Sequence, residues 1–263
     1  MRLAQHSPAA ERNSASIWKR LHALLAESGE ALEIASGTGQ HAACFAAALP
    51  GWHWQPSDWQ DDAFGSIRAW AAQGGAANVR EPAVLDVRAT RWPTQGPAFK
   101  QPFDLIYCAN MLHIAPWECC AGLMQGAARH LAPRGQLVVY GPYLEDGVPT
   151  APSNLAFDAS LRERNPDWGL RRLQDVRLQA RQAGFALFQR HATPCRPTTC
   201  CWCSAARLDF CCLTAAPTSF RSHGHFTASF RACFFHRARA ARGRLLRRLA
   251  HTSAAAVHRA GGN

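Results

Sequence analysis

The chain has 263 residues, enough to bury a full core in one domain or at most two. No apolar run approaches the ~20 residues of a membrane-spanning helix, and Met1 to Pro8 hold no apolar signal core, so a cytoplasmic protein with no membrane partner is expected. The net charge of +11 is lopsided: residues 194–263 carry eleven Arg, no Lys and one acid, which makes +10, while residues 1–193 are almost balanced.

In chain order, Ser7 to Ser14 reads as a polar leader. Ile17, Leu21, Leu24 and Leu25 then recur at helical spacing and predict a helix over 15–27. Residues 31–34 form a short apolar strand carrying one acid, Glu33. It runs into the turn Ala35-Ser36-Gly37-Thr38-Gly39, and an Ala-rich helix over 42–49 ends at Pro50. Further strands are predicted at 52–56, 82–87, 103–108, 136–140 and 185–188. Helices fall between them at 60–73, 117–132 and 173–183, with a long loop and a short helix over 144–169. Trp52, Trp54, Trp59 and Trp70 are expected in the core. Strands alternating with helices imply a doubly wound, mostly parallel sheet of the Rossmann-like kind, with ligands beyond the carboxyl ends of its strands. Asp58, Asp86 and Asn110 to His113 fall at those ends, together with the turn at 35–39.

Two cofactors compete for the turn. Gly37-x-Gly39-x-x-Ala42 fits the dinucleotide pattern, with Asp58 near the ribose-binding offset of ~20 residues. Glu33, by contrast, has little purpose under a pyrophosphate and suits a cationic ligand that carries an amino group.

Glu33-x-Ala35-x-Gly37-x-Gly39 resembles the first motif of class I S-adenosylmethionine-dependent methyltransferases. More narrowly, the chain resembles the methyltransferase-like 26 family. The stretches that carry this likeness are Ser7 to Asn13, Leu32 to His41, Trp54 to Asp58, Asn110 to Ile114, Tyr140 to Tyr143, and Ser153-Asn154 with Phe157 to Arg162. The resemblance covers about 7–192 and implies a methyltransferase domain over 1–193, with S-adenosyl-L-methionine as cofactor. By it, Glu33 and the backbone of Ala35, Ser36, Gly37, Thr38 and Gly39 would hold the methionine end and the ribose edge. Asp58 would accept the ribose hydroxyls, Asp86 the adenine amino group, and Val87 would pack on the ring. Asn110 would lie under the methyl donor and His113 near the acceptor, as an orienting donor rather than a base; Asn13 and Tyr143 would line the acceptor pocket. The acceptor is expected to be a small molecule, with no nucleic acid despite the basic tail. The alternatives are an NAD(P)-binding oxidoreductase using the same turn, or a non-catalytic module that binds S-adenosylmethionine.

The tail, 194–263, lacks Lys, Glu, Gln, Ile, Met and Tyr and holds seven of the eleven Cys. Cys200-x-x-Cys203 has no second pair at finger spacing, so no metal site is expected. Read from the third base of each codon, Cys200-Cys201-Trp202-Cys203 becomes Leu-Leu-Val, a buried-strand run. The tail is therefore read as disordered or translated out of frame from 193–196 onward, and the sheet is expected to lack a regular seventh strand.

Overall fold

A computed structural model describes residues 4–194 and 207–215; within 186–194 and 207–215 it defines the backbone, and the side chain of Leu213 alone. The first helix, α1 (Pro8–Leu24), begins earlier than the leader reading allowed. The Ser7 hydroxyl accepts the Ala10 N–H at 3.3 Å, and Pro8 sits in the first turn, where its missing N–H costs nothing. What read as a polar leader is thus a capped first turn, polar because most of that face is exposed.

The chain continues through β1 (Gly29–Ile34), α2 (Gln40–Ala48), β2 (Trp52–Asp58), α3 (Phe64–Gln73), β3 (Ala83–Val84), β4 (Phe103–Ala109) and α4 (Glu118–His130). There follow β5 (Leu131–Gly141), β6 (Tyr143–Leu144), α5 (Pro152–Arg164), β7 (Arg171–Arg172), α6 (Leu173–Gln182), β8 (Phe185–Pro194) and β9 (Arg207–Ala215). The main sheet has the order β3-β2-β1-β4-β5-β9-β8. Its first five strands are parallel, and β9 is antiparallel to both neighbours. The order reverses between β1 and β4, which is where a doubly wound sheet opens a crevice.

Alternation along the strands sorts side chains onto two faces. On one, Ala31, Trp54, Leu105, Tyr107, Val138 and Tyr140 pack under Ile17, Leu21 and Phe45 of α1 and α2. On the other, Leu32, Ile34, Ile106, Cys108, Leu137 and Val139 pack with Leu123 and Met124 of α4 and Val176 of α6. Both faces are buried, as a parallel sheet requires.

The expected lack of a seventh strand is corrected. Arg207–Ala215 fills that place, pairing with β5 from Gln136↔Thr214 to Gly141↔Asp209, and Leu213 is buried with the second face. Unpaired edges on β5 and β8 demand a partner, and Leu208 to Thr214 is an apolar, strand-forming run hidden within a tail of unusual composition. Residues 195–206 and 216–263, with the expectations of disorder, a shifted frame and no metal at Cys200 and Cys203, lie outside the described residues.

Candidate functional site

Three strand ends and the turn after β1 meet at the crest of the sheet. The turn is held in left-handed backbone at Ala35 (φ 55°), Gly37 (φ 53°) and Gly39 (φ 87°). Gly39 has to be glycine for a second reason, since a Cβ there would come within 2.6 Å of the Ile67 backbone in α3. Gly37 is different: a Cβ there would meet nothing within 4 Å, so its missing side chain leaves open space over the turn.

The turn is tied to β2 through backbone and hydroxyls. Ser36 N–H donates to the Ser57 carbonyl at 2.9 Å, and Ser57 N–H returns a bond to the Ser36 hydroxyl at 3.2 Å. The Ser57 hydroxyl donates to the Glu33 carbonyl at 2.7 Å. Asp58 closes the strand, with one carboxylate oxygen taking the Gly37 N–H and the other the Trp59 N–H, both at 2.8 Å. Each oxygen keeps further accepting capacity. Burial raises the Asp58 carboxyl above its ordinary range, and the two backbone donors oppose that shift.

Glu33 lies inside the sheet at 2% exposure, and the Trp54 indole N–H donates to its carboxylate at 2.6 Å. Burial pushes its pKa up to about 8 against this donor, and the Asp58 charge pushes the same way. Glu33 is therefore largely protonated at neutral pH, held ready to ionise against a cation.

On the β3 side, Leu85 N–H donates to the Asp58 carbonyl at 2.7 Å, which brings Asp86 to the neighbouring crest position. The Asp86 carboxylate is gripped by Arg88 Nε and Nη2, which holds it below the ordinary carboxylate range. Val87 is buried in the core with its carbonyl against Gly122. Trp59, expected in the core, is instead 64% exposed directly after Asp58. Trp52 and Trp54 are buried as expected, and Trp70 is half-buried, donating its indole N–H to the Gln5 carbonyl at 2.7 Å.

On the β4 side, Asn110 adopts φ 60° and donates its N–H to the Tyr140 carbonyl at 2.8 Å. His113 is 6% exposed, with its ring 5.6 Å from Phe157 of α5 in an edge-on arrangement. Burial first, and then Arg171 and Arg164, lower its pKa to about 4. Tyr143 is buried in β6, where it pairs with Arg171 of β7.

Asn13 lies in α1 at 7% exposure, where its Oδ1 accepts Nε2–H at 2.7 Å from His41, at the start of the helix that follows the glycine turn. His41 Nδ1 then accepts the Tyr107 hydroxyl at 3.3 Å, and burial holds the imidazole neutral with a pKa of about 4. Sequence reasoning missed His41 and Tyr107 as a unit, because residues 13, 41 and 107 are joined only by tertiary packing. It also missed Ser66, whose hydroxyl accepts Gln5 N–H and donates to the Thr38 carbonyl, both at 2.8 Å.

The mostly parallel sheet, with β9 inserted antiparallel between β5 and β8, fits the Rossmann-like class I methyltransferase fold. Solved structures agree on the fold. The chain superposes on the S-adenosylmethionine-dependent methyltransferase SibL with a TM-score of 0.63 at 19% identity, covering 80% of this chain and 56% of that one. CalO1, a methyltransferase of calicheamicin biosynthesis solved with SAH bound, gives 0.59 at 14% identity over 78% and 54%. An O-methyltransferase family 2 protein from Planctomyces limnophilus, in complex with apigenin, gives 0.61 at 16% over 79% and 60%. The chain thus spans little more than half the length of these relatives. Residues 4–203 match the family model described as protein of unknown function DUF938, and the chain belongs to that family.

Proposed function

We propose that the protein is an S-adenosylmethionine-dependent methyltransferase acting on a small-molecule acceptor. The observation that carries this reading is the buried Glu33 carboxyl beside an open glycine turn whose backbone is held by Asp58. A dinucleotide pyrophosphate gives a buried acid nothing to bind, whereas a ligand with an ammonium and a sulfonium does. When bound, the cofactor supplies a methyl group that is already activated for displacement.

The residues present fit such a ligand. Glu33 would ionise against the amino group, Asp58 would accept the ribose hydroxyls at its remaining lone pairs, and the space over Gly37 would take the ligand backbone. The Asp86 carboxylate would take the adenine amino group, or Arg88 would keep it, while exposed Trp59 offers a flat apolar wall beside Asp58. Asn110 and His113 would face the reacting centre with Tyr143 at the acceptor's edge; Asn13 would act through His41 rather than on the acceptor. Alignment and exclusion of water then do most of the catalytic work.

The narrower assignment to the methyltransferase-like 26 family, and a cytoplasmic location, belong to the same proposal. Among the described residues no helix is long and apolar enough to cross a membrane. Calorimetry with S-adenosylhomocysteine and with NAD tests the reading: binding of the former, weakened by Glu33→Ala, supports it, and binding of NAD alone overturns it. Tritium transfer from labelled cofactor into cell extract separates an enzyme from a binding module.

A further inference from the structure

The glycine turn is fastened from two sides. On the β2 side, the Ser36 and Gly37 amides donate to the Ser57 carbonyl and the Asp58 carboxylate. On the other side both oxygens of Thr38, which stands between the left-handed Gly37 and Gly39, are engaged. The Thr38 carbonyl accepts the Ser66 hydroxyl of α3 at 2.8 Å. Its own hydroxyl donates to Gln40 Oε1, at the start of α2, at 3.2 Å.

Neither partner ends there. Ser66 Oγ accepts the Gln5 N–H at 2.8 Å, and Gln40 Oε1 accepts the Ser7 N–H. Two chains of two hydrogen bonds thus start on amides of the segment that leads into α1, and both end on Thr38. The same segment is tied down onto α3, where the Trp70 indole N–H donates to the Gln5 carbonyl at 2.7 Å. Ser66 is 2% exposed, so its two bonds are made away from bulk water, where a bond left unmade costs most. Packing joins the same parts: Gly39 lies so close to Ile67, the residue after Ser66, that no Cβ fits between them. Thr38 adjoins Gly37, over which the space is open. A threonine between two positive-φ glycines has many shapes in a free chain, and a ligand seated on that backbone needs one of them.

We infer that Gln5 to Ser7 form a strap belonging to the cofactor site, with Gln40 and Ser66 as its positioning residues. The two hydrogen-bond chains hold Thr38, and through it the turn, in the shape that receives the nucleoside cofactor. This rests on the methyltransferase reading and extends it to residues outside the turn and the strand ends. Coupling between two sites is reciprocal. A fastened strap that favours the bound ligand is itself fastened by that ligand, by the same factor.

The test measures exchange of the Gln5 and Ser7 amides by NMR in the full chain, with and without saturating S-adenosylhomocysteine, and the affinity of that ligand by calorimetry. The ligand is expected to slow both amides at least about fivefold. Gln40→Met keeps the length of the side chain but loses the acceptor; it should remove the slowing at Ser7 and weaken the ligand at least about fivefold. Gln40→Glu still accepts both bonds and should keep both effects. Ser66→Ala cuts the other chain and should remove the slowing at Gln5. Arg68→Gln, in the same helix but on the Glu81 pair, should leave slowing and affinity intact. A tie that only stabilises the fold would speed these amides equally with and without ligand and leave the affinity unchanged. That result overturns the inference, as do amides that the ligand does not slow in the unaltered chain, slowing that survives both Gln40→Met and Ser66→Ala, or an equal loss of affinity in Gln40→Glu or Arg68→Gln. Failure of S-adenosylhomocysteine to bind the unaltered chain overturns the methyltransferase reading instead, so the two failures are told apart.

Discussion

Trp54 donates its indole N–H to the Glu33 carboxylate at 2.6 Å across the β1–β2 pair, tying a core aromatic to the crest. One donor does not offset the loss of water around a buried acid, and the pKa stands at about 8. Between pH 4.5 and 8 the unfolded chain releases this proton while the folded one keeps it, so folding stability falls as pH rises through that window. Chemical denaturation between pH 6.5 and 8 should show the decline, and Glu33→Gln should flatten it. Cofactor affinity should move the opposite way, rising with pH, with proton release visible as a buffer-dependent binding enthalpy.

The two buried histidines set the acid limb. His41 and His113 both titrate near pH 4 in the folded protein, because burial disfavours the imidazolium. Between pH 6.5 and 4 the unfolded chain takes up protons that the folded chain refuses, so stability falls as pH drops. Each contributes on the order of 3 kcal/mol at full extent. With the Glu33 effect, the ligand-free protein should be most stable near pH 6.5. A plateau extending down to pH 4.5 would contradict both assignments.

Asn13→Ala removes the side-chain acceptor of His41 Nε2–H inside the α1–α2 contact and leaves the imidazole only the Ala10 backbone on that side. The expected cost is roughly 1–3 kcal/mol, read as a lowered denaturation midpoint with an unchanged slope. The Tyr107 hydroxyl loses a fixed partner at the same time, so Tyr107→Phe added to Asn13→Ala should cost less than the sum of the two.

Gly37 and Gly39 separate cofactor space from fold space. Gly39→Ala drives a Cβ to 2.6 Å from the Ile67 backbone and should destabilise the protein by more than about 1–2 kcal/mol. Gly37→Ala meets no neighbour within 4 Å and carries only the strain of φ 53°, about 1 kcal/mol. S-Adenosylhomocysteine affinity should nevertheless fall more for Gly37→Ala, because the new methyl occupies the space over the turn. Equal losses at the two positions would remove the turn from the binding site.

Arg171→Met should loosen the loop from Asn110 to Trp117, since it removes the donors from the Leu112 and Ala115 carbonyls. Faster amide exchange in that loop, and near Gly169, whose N–H donates to the His113 carbonyl at 3.0 Å, is the readout. The helices α2 and α3 should be unaffected.

Much of this arrangement was legible in the residues. Short apolar runs located the five parallel strands, because a strand buried on both faces is apolar throughout, and helical spacing with Gly and Pro stops located the helices between them; β5 begins five residues before the predicted strand. Glycines 37 and 39 marked the turn, and the acids at 58 and 86 marked strand ends. Other features were hidden for physical reasons. Ser7 reads as a leader residue until its hydroxyl is seen capping Ala10, and Trp59 has the composition of a core residue but stands at an exposed crest. Arg171 looks like one more surface cation in an Arg-rich segment; only the fold brings it onto Leu112 and Ala115, ~60 residues earlier in the chain. Strand β9 was missed because its neighbours in sequence have the composition of a tail, whereas its neighbours in space are β5 and β8.

That last strand has a consequence for biogenesis. β9 is synthesised after every other element of the sheet, yet it lies between β5 and β8. A nascent chain released or stalled before residue 207 would carry a slot flanked by two strands with free N–H and C=O groups, open to any extended peptide of matching length. Completion of this protein is thus an insertion rather than an extension, and the interval before Ala215 clears the ribosome is when it most needs a chaperone.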